Sequence, residues 1–274
     1  MTDLYNKIIE AQNYLSEELK DEPVTGVILG TGLGGLVDRM ELIQSIPYGQ
    51  IPHFPVSTVK SHRGTLILGR LSGKCILVMS GRFHYYEGYS SQEITFPVRV
   101  MKALGIQQII ISNASGGINP NYNNGQIVLI KDHINLIPDH PLRGKNDDRL
   151  GVRFPDMKEA YDDRLREIAR SAAEEMNYNL EEGVYVGFQG PTLETPAEYV
   201  YLHRIGGDMV GMSTVPEVIV AKHCEVPVLV LSLVSNVCYP PERIKETSLE
   251  DVIKVVGDAS PQFCDLVEKI IGRI

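Results

Sequence analysis

The chain of 274 residues has no tryptophan and only four cysteines. Cys75, Cys224, Cys238 and Cys264 are widely scattered and form no CxxC pair. That excludes a disulfide framework and a structural zinc site, and it fits a reducing, cytoplasmic setting. Long apolar runs are missing too. None approaches the roughly 20 residues that span a bilayer, and the first 22 residues are polar and amphipathic rather than a basic segment followed by an apolar one. A soluble chain that is not exported is expected. Positive charge is scarce: 26 Lys and Arg against 35 Asp and Glu leave a net charge of −9. A broad nucleic-acid or anionic-membrane surface is therefore disfavoured, and any anion site must be local. There is no internal repeat, charge block or linker, so one domain over residues 1–274 is expected.

Apolar, strand-like runs recur at 24–29, 65–71, 74–80, 108–113, 126–131, 183–188, 208–212 and 227–235. Several are continuously apolar, as strands buried on both faces tend to be. The first 20 residues carry Leu4, Ile8, Ile9, Ala11 and Leu15 at helical spacing, and Asp21-Glu22-Pro23 then stops the helix. Capping boxes announce further helices, because a Ser or Thr and a Glu three residues later satisfy the amides of a first turn. Four are present: Ser90 with Glu93, Thr195 with Glu198, Thr214 with Glu217, and Thr247 with Glu250. Strands alternating with helices predict an α/β fold with a largely parallel, helix-covered sheet, whose ligands gather at the carboxyl ends of the strands.

Every unusual cluster follows one of these runs. Gly30-Thr31-Gly32-Leu33-Gly34-Gly35 matches GxGxxG, but no acidic residue ends a second strand about 20 residues on, so the dinucleotide reading fails its second test. A small phosphate site and a plain turn remain. In Gly81-Arg82-Phe83-His84-Tyr85-Tyr86-Glu87-Gly88, Arg82 offers a planar fork of donors suited to phosphate, and Glu87 stands close enough to orient His84. A solvated loop with a stray Arg-Glu pair is the bland alternative. His62, taken alone, reads as a surface histidine. Asn113-Ala114-Ser115-Gly116-Gly117 puts small residues where backbone can approach a ligand, or simply makes a turn. In Gly190-Pro191-Thr192-Leu193-Glu194-Thr195-Pro196, Glu194 sits just ahead of a capped helix, whose amino terminus favours a carboxylate in anionic form. Val210-Gly211-Met212-Ser213-Thr214-Val215-Pro216-Glu217 places Ser213 like a phosphate-binding hydroxyl, with Met212 more at home in a core. Ser235-Asn236 ends the last apolar run with an amide that can both donate and accept, or with a strand-terminating turn.

Taken jointly and in order, these segments resemble the purine nucleoside phosphorylases of the homotrimeric class, the family that also holds the methylthioadenosine phosphorylases. The resemblance covers nearly the whole chain. It implies a single α/β domain with a twisted, mixed, mostly parallel central sheet, partly barrel-like and surrounded by helices. It further implies phosphate-dependent cleavage of (deoxy)inosine and (deoxy)guanosine to free base and (deoxy)ribose 1-phosphate in purine salvage, with phosphate as co-substrate and no cofactor or metal. By the same resemblance, Thr31, His62, Arg82, His84, Ala114 and Ser213 bind phosphate. Tyr86 and Met212 contact ribose, joined by Phe154 from a neighbouring subunit of a homotrimer. Glu194, Asn236, Leu193 and Val210 contact the purine, and Asn236, Glu194 and His84 carry the catalysis.

The chain departs from the family pattern at three positions. Leu193 stands where a phenylalanine often stacks near the base, and Ser235 replaces a common threonine. Leu249 aligns, across a one-residue gap, with the histidine that bonds the ribose 5′-hydroxyl. Leu249 cannot donate a hydrogen bond, which raises 5′-deoxy or 5′-methylthio nucleosides as an alternative substrate class. Asn236 opposes that reading, because adenine-using relatives carry aspartate there. A binding protein without turnover is disfavoured by the joint presence of Arg82, His84, Glu194 and Asn236.

Overall fold

The computed structural model describes residues 3–56 and 64–274. In chain order its main elements are α1 (Leu4–Glu18), β1 (Thr25–Ile28), β2 (Glu41–Pro47), β3 (Thr65–Leu71), β4 (Lys74–Ser80), α2 (Ser91–Ile94), α3 (Phe96–Ala103), β5 (Gln108–Gly117), β6 (Ile127–Asn135), α4 (Asp163–Glu175), β7 (Glu181–Gly187), α5 (Pro196–Arg204), β8 (Met209–Gly211), α6 (Val215–His223), β9 (Val228–Val237) and α7 (Leu249–Ile271). The strands form one mixed sheet in the order β2-β3-β4-β1-β5-β8-β7-β6-β9, and β9 returns to pair with β5. That extra pairing closes β5, β8, β7, β6 and β9 into a barrel-like ring, while β2, β3, β4 and β1 extend from it as an open wing.

Alternation along the buried strands supplies a core on each face. Leu77, Ile109, Val228 and Val230 pack on one face with Ile8, Ala11 and Leu15 of α1. Their neighbours Val78, Ile110, Leu229 and Leu231 pack on the other with Phe263, Leu266 and Ile270 of α7. Helix starts follow the predicted chemistry. The Asp3 carboxylate accepts from the Asn6 amide at 2.8 Å to open α1, and Thr195 accepts from the Glu198 amide at 3.2 Å to open α5.

Two expectations need correction, and one strand has no counterpart among the apolar runs. The run at 108–113 continues as strand to Gly117, because Asn113-Ala114-Ser115-Gly116-Gly117 pairs in parallel with β9 as far as Val237. Pairing with a neighbour overrides the turn-like composition of that segment. The edge strand β2 carries no continuous apolar signal, since Glu41, Leu42 and Pro47 are exposed, and it is defined by its antiparallel pairing with β3. Finally, α7 is capped one residue later than expected. Ser248 exchanges bonds with Asp251, whereas the Thr247 hydroxyl donates to the Lys245 carbonyl.

Candidate active site

Arg82 leaves β4 and turns inward, and only 1% of its surface is exposed. Its Nη1 donates to Ser213 Oγ at 2.9 Å, and its Nε lies 3.2 Å from Glu217 Oε1. Glu217 is itself 5% exposed, so charge meets charge away from water, where Coulomb attraction is little screened. The same carboxylate accepts the Thr214 amide through Oε2 at 2.7 Å. Thr214 has φ 71° and ψ −53°, a left-handed conformation unusual for a β-branched residue. The Val215 amide donates to the Ser213 carbonyl across it at 2.8 Å, closing a three-residue γ-turn. Such a backbone costs about 1–3 kcal/mol and persists where its surroundings enforce it. Here Glu217 holds the amide, and Asn113 Nδ2 donates to Thr214 Oγ1 at 3.0 Å. The turn presents Ser213 beside Arg82.

The glycine loop joins this group through the backbone. Gly30 N–H donates to Ser112 Oγ at 3.2 Å, and a Cβ at Gly30 would come within 2.7 Å of Asn113 Cα. Only glycine permits that approach, which seats the loop carrying Thr31 against Ser112 and Asn113 of β5. His84 is fixed from one side, because Glu87 Oε1 accepts its backbone amide at 2.8 Å and lies 3.0 Å from Nδ1. The Tyr86 ring stacks on the imidazole with centroids 4.7 Å apart and planes 17° apart.

A second group lies further along β5 and its neighbours β8 and β9. Val210, Gly116 and Asn236 are register neighbours on β8, β5 and β9. Met212 Sδ lies against Gly190 in the loop that carries Glu194. Glu194 Oε1 is buried with no hydrogen-bond partner among the described residues. Burial raises the Glu194 pKa, and bonding to backbone and to Tyr199 opposes that rise. The Asn236 side chain accepts from Ser235 Oγ at 2.8 Å and donates to Cys238 Sγ at 3.0 Å.

Arg82, Ser213, Thr214 and Asn113 thus converge through direct bonds, the glycine loop joins them through Ser112 beside Asn113, and His84 with Tyr86 adjoins Arg82 in sequence. Leu193 is half exposed on its loop. Phe154 is 86% exposed on the loop before α4 and touches none of these residues through a hydrogen bond or ring contact. Leu249 is 57% exposed at the start of α7, about 10 Å along the helix from Val256, which packs against Gly32. His62 lies outside the described residues. Sequence reading assigned Glu217 and Thr214 only to a helix cap and Asn113 only to a small-residue stretch. The capping signal is the pointer to Glu217 and Thr214, since the same carboxylate that caps α6 is the counter-ion of Arg82. A cavity of about 1010 Å³ bordered by α1, α3 and the end of α6 contains none of the site residues.

A family model described as the phosphorylase superfamily matches residues 25–272. Purine nucleoside phosphorylase 1 of Geobacillus stearothermophilus is 53% identical over 269 residues, covering 97% of each chain. The purine nucleoside phosphorylase of Bos taurus is 43% identical, covering 98% of this chain and 96% of that one. In three dimensions the chain is similar to isoform 2 of purine nucleoside phosphorylase from Schistosoma mansoni, solved with cytosine and ribose-1-phosphate. That match has a TM-score of 0.94 at 42% identity over 98% of this chain and 97% of the other.

Removing the counter-charge while keeping an acceptor isolates the ion pair. Glu217→Gln is expected to lower stability in urea unfolding by about 3–5 kcal/mol, because it strands a buried guanidinium. A loss below about 1 kcal/mol would show that Glu217 is not the counter-ion that matters.

Proposed function

The chain belongs to the purine nucleoside phosphorylases of the phosphorylase superfamily and is an enzyme of that kind, and on that premise we propose which residues carry each part of its reaction. The reaction is the phosphate-dependent cleavage of the N-glycosidic bond of (deoxy)inosine and (deoxy)guanosine, giving free purine and (deoxy)ribose 1-phosphate. The observation that carries the assignment is the buried Arg82–Ser213 pair beside His84 and the glycine loop. Phosphate is bound there by Arg82, Ser213, His84, Thr31 and the Ala114 amide, with His62 as a further contact. Glu87 engages His84 at Nδ1, so the phosphate contact is assigned to Nε2.

As the bond from C1′ to N9 breaks, its electron pair goes to the purine and positive charge develops on the sugar, much as in other oxocarbenium-like glycoside cleavage. Phosphate beneath C1′ stabilises that charge and then forms the new C1′–O bond; fixing it in place converts a bimolecular encounter into a near-attack geometry. Asn236 bonds N7 as the base gains electron density, and Glu194, as a carboxylate, accepts from N1–H of a 6-oxopurine. Tyr86 and Met212 border the ribose, and Val210 and Leu193 border the base. No metal or organic cofactor is required by this chemistry.

Phe154 belongs to a neighbour's ribose site in this reading, which makes the enzyme a homotrimer; its 86% exposure supports that. A cytoplasmic location is supported by four cysteines without a disulfide. A second reading, use of 5′-deoxy or 5′-methylthio purine nucleosides, is favoured by Leu249 alone, an apolar side chain where a donor would select the 5′-hydroxyl.

Hypoxanthine release from inosine is expected to depend on inorganic phosphate, and Asn236→Ala is expected to lower kcat by about 10²–10³ while leaving the phosphate KM near that of the parent enzyme. Release at the same rate without phosphate would overturn the reading. Because Leu249 offers no donor, 5′-deoxyinosine should be cleaved with kcat/KM within about threefold of inosine. A loss of a hundredfold or more would show that another group bonds the hydroxyl.

A further inference from the structure

A chain of buried polar side chains runs through the fold and ends on Ser213 and Arg82, the proposed phosphate contacts. Ser115 and Asn113 stand on β5, Ser232 on β9, Ser213 and Thr214 between β8 and α6, and Arg82 just beyond β4. None of them is more than 8% exposed. Ser115 Oγ lies 2.5 Å from Ser232 Oγ, and Ser232 Oγ lies 2.5 Å from Asn113 Oδ1. On its other side Asn113 Nδ2 donates to Thr214 Oγ1 at 3.0 Å. Thr214 Oγ1 and Ser213 Oγ are 3.1 Å apart, and Arg82 Nη1 reaches them at 3.4 and 2.9 Å respectively.

Each hydroxyl has a single proton to give, so the amide in the middle sets the direction of the whole chain. The Asn113 carbonyl oxygen can only accept, which makes Ser232 its donor. Ser232 then has no proton left, so Ser115 donates to Ser232. The Asn113 amide nitrogen can only donate, and together with the Arg82 guanidinium it occupies the accepting side of Thr214 Oγ1. Thr214 therefore gives its proton to Ser213 Oγ. Ser213 Oγ now accepts twice, from Arg82 and from Thr214, and its own proton is left over for a further acceptor.

We propose that Thr214, Asn113, Ser232 and Ser115 are positioning residues for phosphate, forming a one-directional hydrogen-bond relay that turns the Ser213 hydroxyl out as a donor to the anion. This rests on the assignment of Ser213 and Arg82 as phosphate contacts. A reversed Asn113 amide would reverse every hydroxyl between it and the site: Thr214 would donate to Asn113, Ser213 would donate to Thr214, and phosphate would face a lone pair. The order seen is the one an anion favours. Because the bonds lie away from water and follow one another head to tail, each polarises the next, so the loss of a remote member weakens the last.

Thr214→Val deletes one hydroxyl and keeps the branched shape. It is expected to raise the phosphate KM about tenfold and to leave the inosine KM within about twofold of the parent enzyme, and Thr214→Ser is expected to restore the phosphate KM. Ser232 is fully buried, and Ser232→Ala is expected to raise the phosphate KM about threefold. Combining Thr214→Val with Ser232→Ala should be no worse than Thr214→Val alone, because both interrupt one series. Equal rises in both KM values, additive effects in the double variant, or failure of Thr214→Ser to restore binding would overturn the relay in favour of a packing role. If the Thr214 variants do not fold, Ser232→Ala decides alone, and an unchanged phosphate KM there overturns the relay. Ser213→Ala, assayed alongside, separates the two readings. If it raises the phosphate KM while Thr214→Val and Ser232→Ala do not, the relay fails alone; if it too leaves that KM unchanged, the phosphate assignment fails with it.

Discussion

A guanidinium can stay inside a protein only when its charge is answered, and much of this fold is arranged to answer Arg82. The counter-ion, Glu217, stands in the first turn of α6, far from Arg82 in sequence. Bringing them together requires β4 and the β8–α6 junction to meet at one end of the sheet. The cost of the unusual Thr214 backbone is met by the same carboxylate and by Asn113 from β5. A single buried acid thereby sets an ion pair, a helix start and the placement of Ser213. Such a pair contributes little net stability, since desolvation offsets attraction, but it fixes direction. Direction is what an anion site needs.

The two halves of the site are held by different physics. On the side proposed for phosphate, a buried ion pair and side-chain hydroxyls dominate, joining the end of β4, β5 and the start of α6. On the side proposed for the base the anchors are an amide tied to a thiol and a hydroxyl, and a single carboxylate kept in a dry place. Closure of the strand ring through β5 and β9 sets both halves against the same pair of strands. Asn113 and Gly116 are three residues apart on β5, one facing the Thr214 turn and the other Cys238 and Asn236. A shift in the β5–β9 register would therefore move both halves at once, which suits a reaction in which charge separates between sugar and base.

Much of this was legible in the sequence because the informative residues are local. Continuous apolar runs marked most strands, and β3 and β4 have the expected bounds. Ser90, Thr195 and Thr214 with their glutamates marked three helix starts. What stayed hidden depended on distant pairing. Residues 113–117 have turn-like composition and become strand only because β9 lies beside them. Glu217 looked like a cap and nothing more, since its second role needs Arg82 in space. Cys238, which accepts from the Asn236 amide, carries no sequence pattern at all, because a buried cysteine after a strand reads as core.

The net charge of −9 appears at first to oppose an anionic co-substrate. The geometry removes the conflict, because one buried, oriented guanidinium outweighs distant surface carboxylates that water and salt screen. The central claim is that orientation, and not charge alone, makes this an anion site. Calorimetric titration of inorganic phosphate into the parent enzyme and Arg82→Lys tests it, since lysine keeps the charge and loses the planar fork. Affinity is predicted to fall at least about tenfold, equivalent to 1.4 kcal/mol; equal affinity in the two proteins would contradict the account.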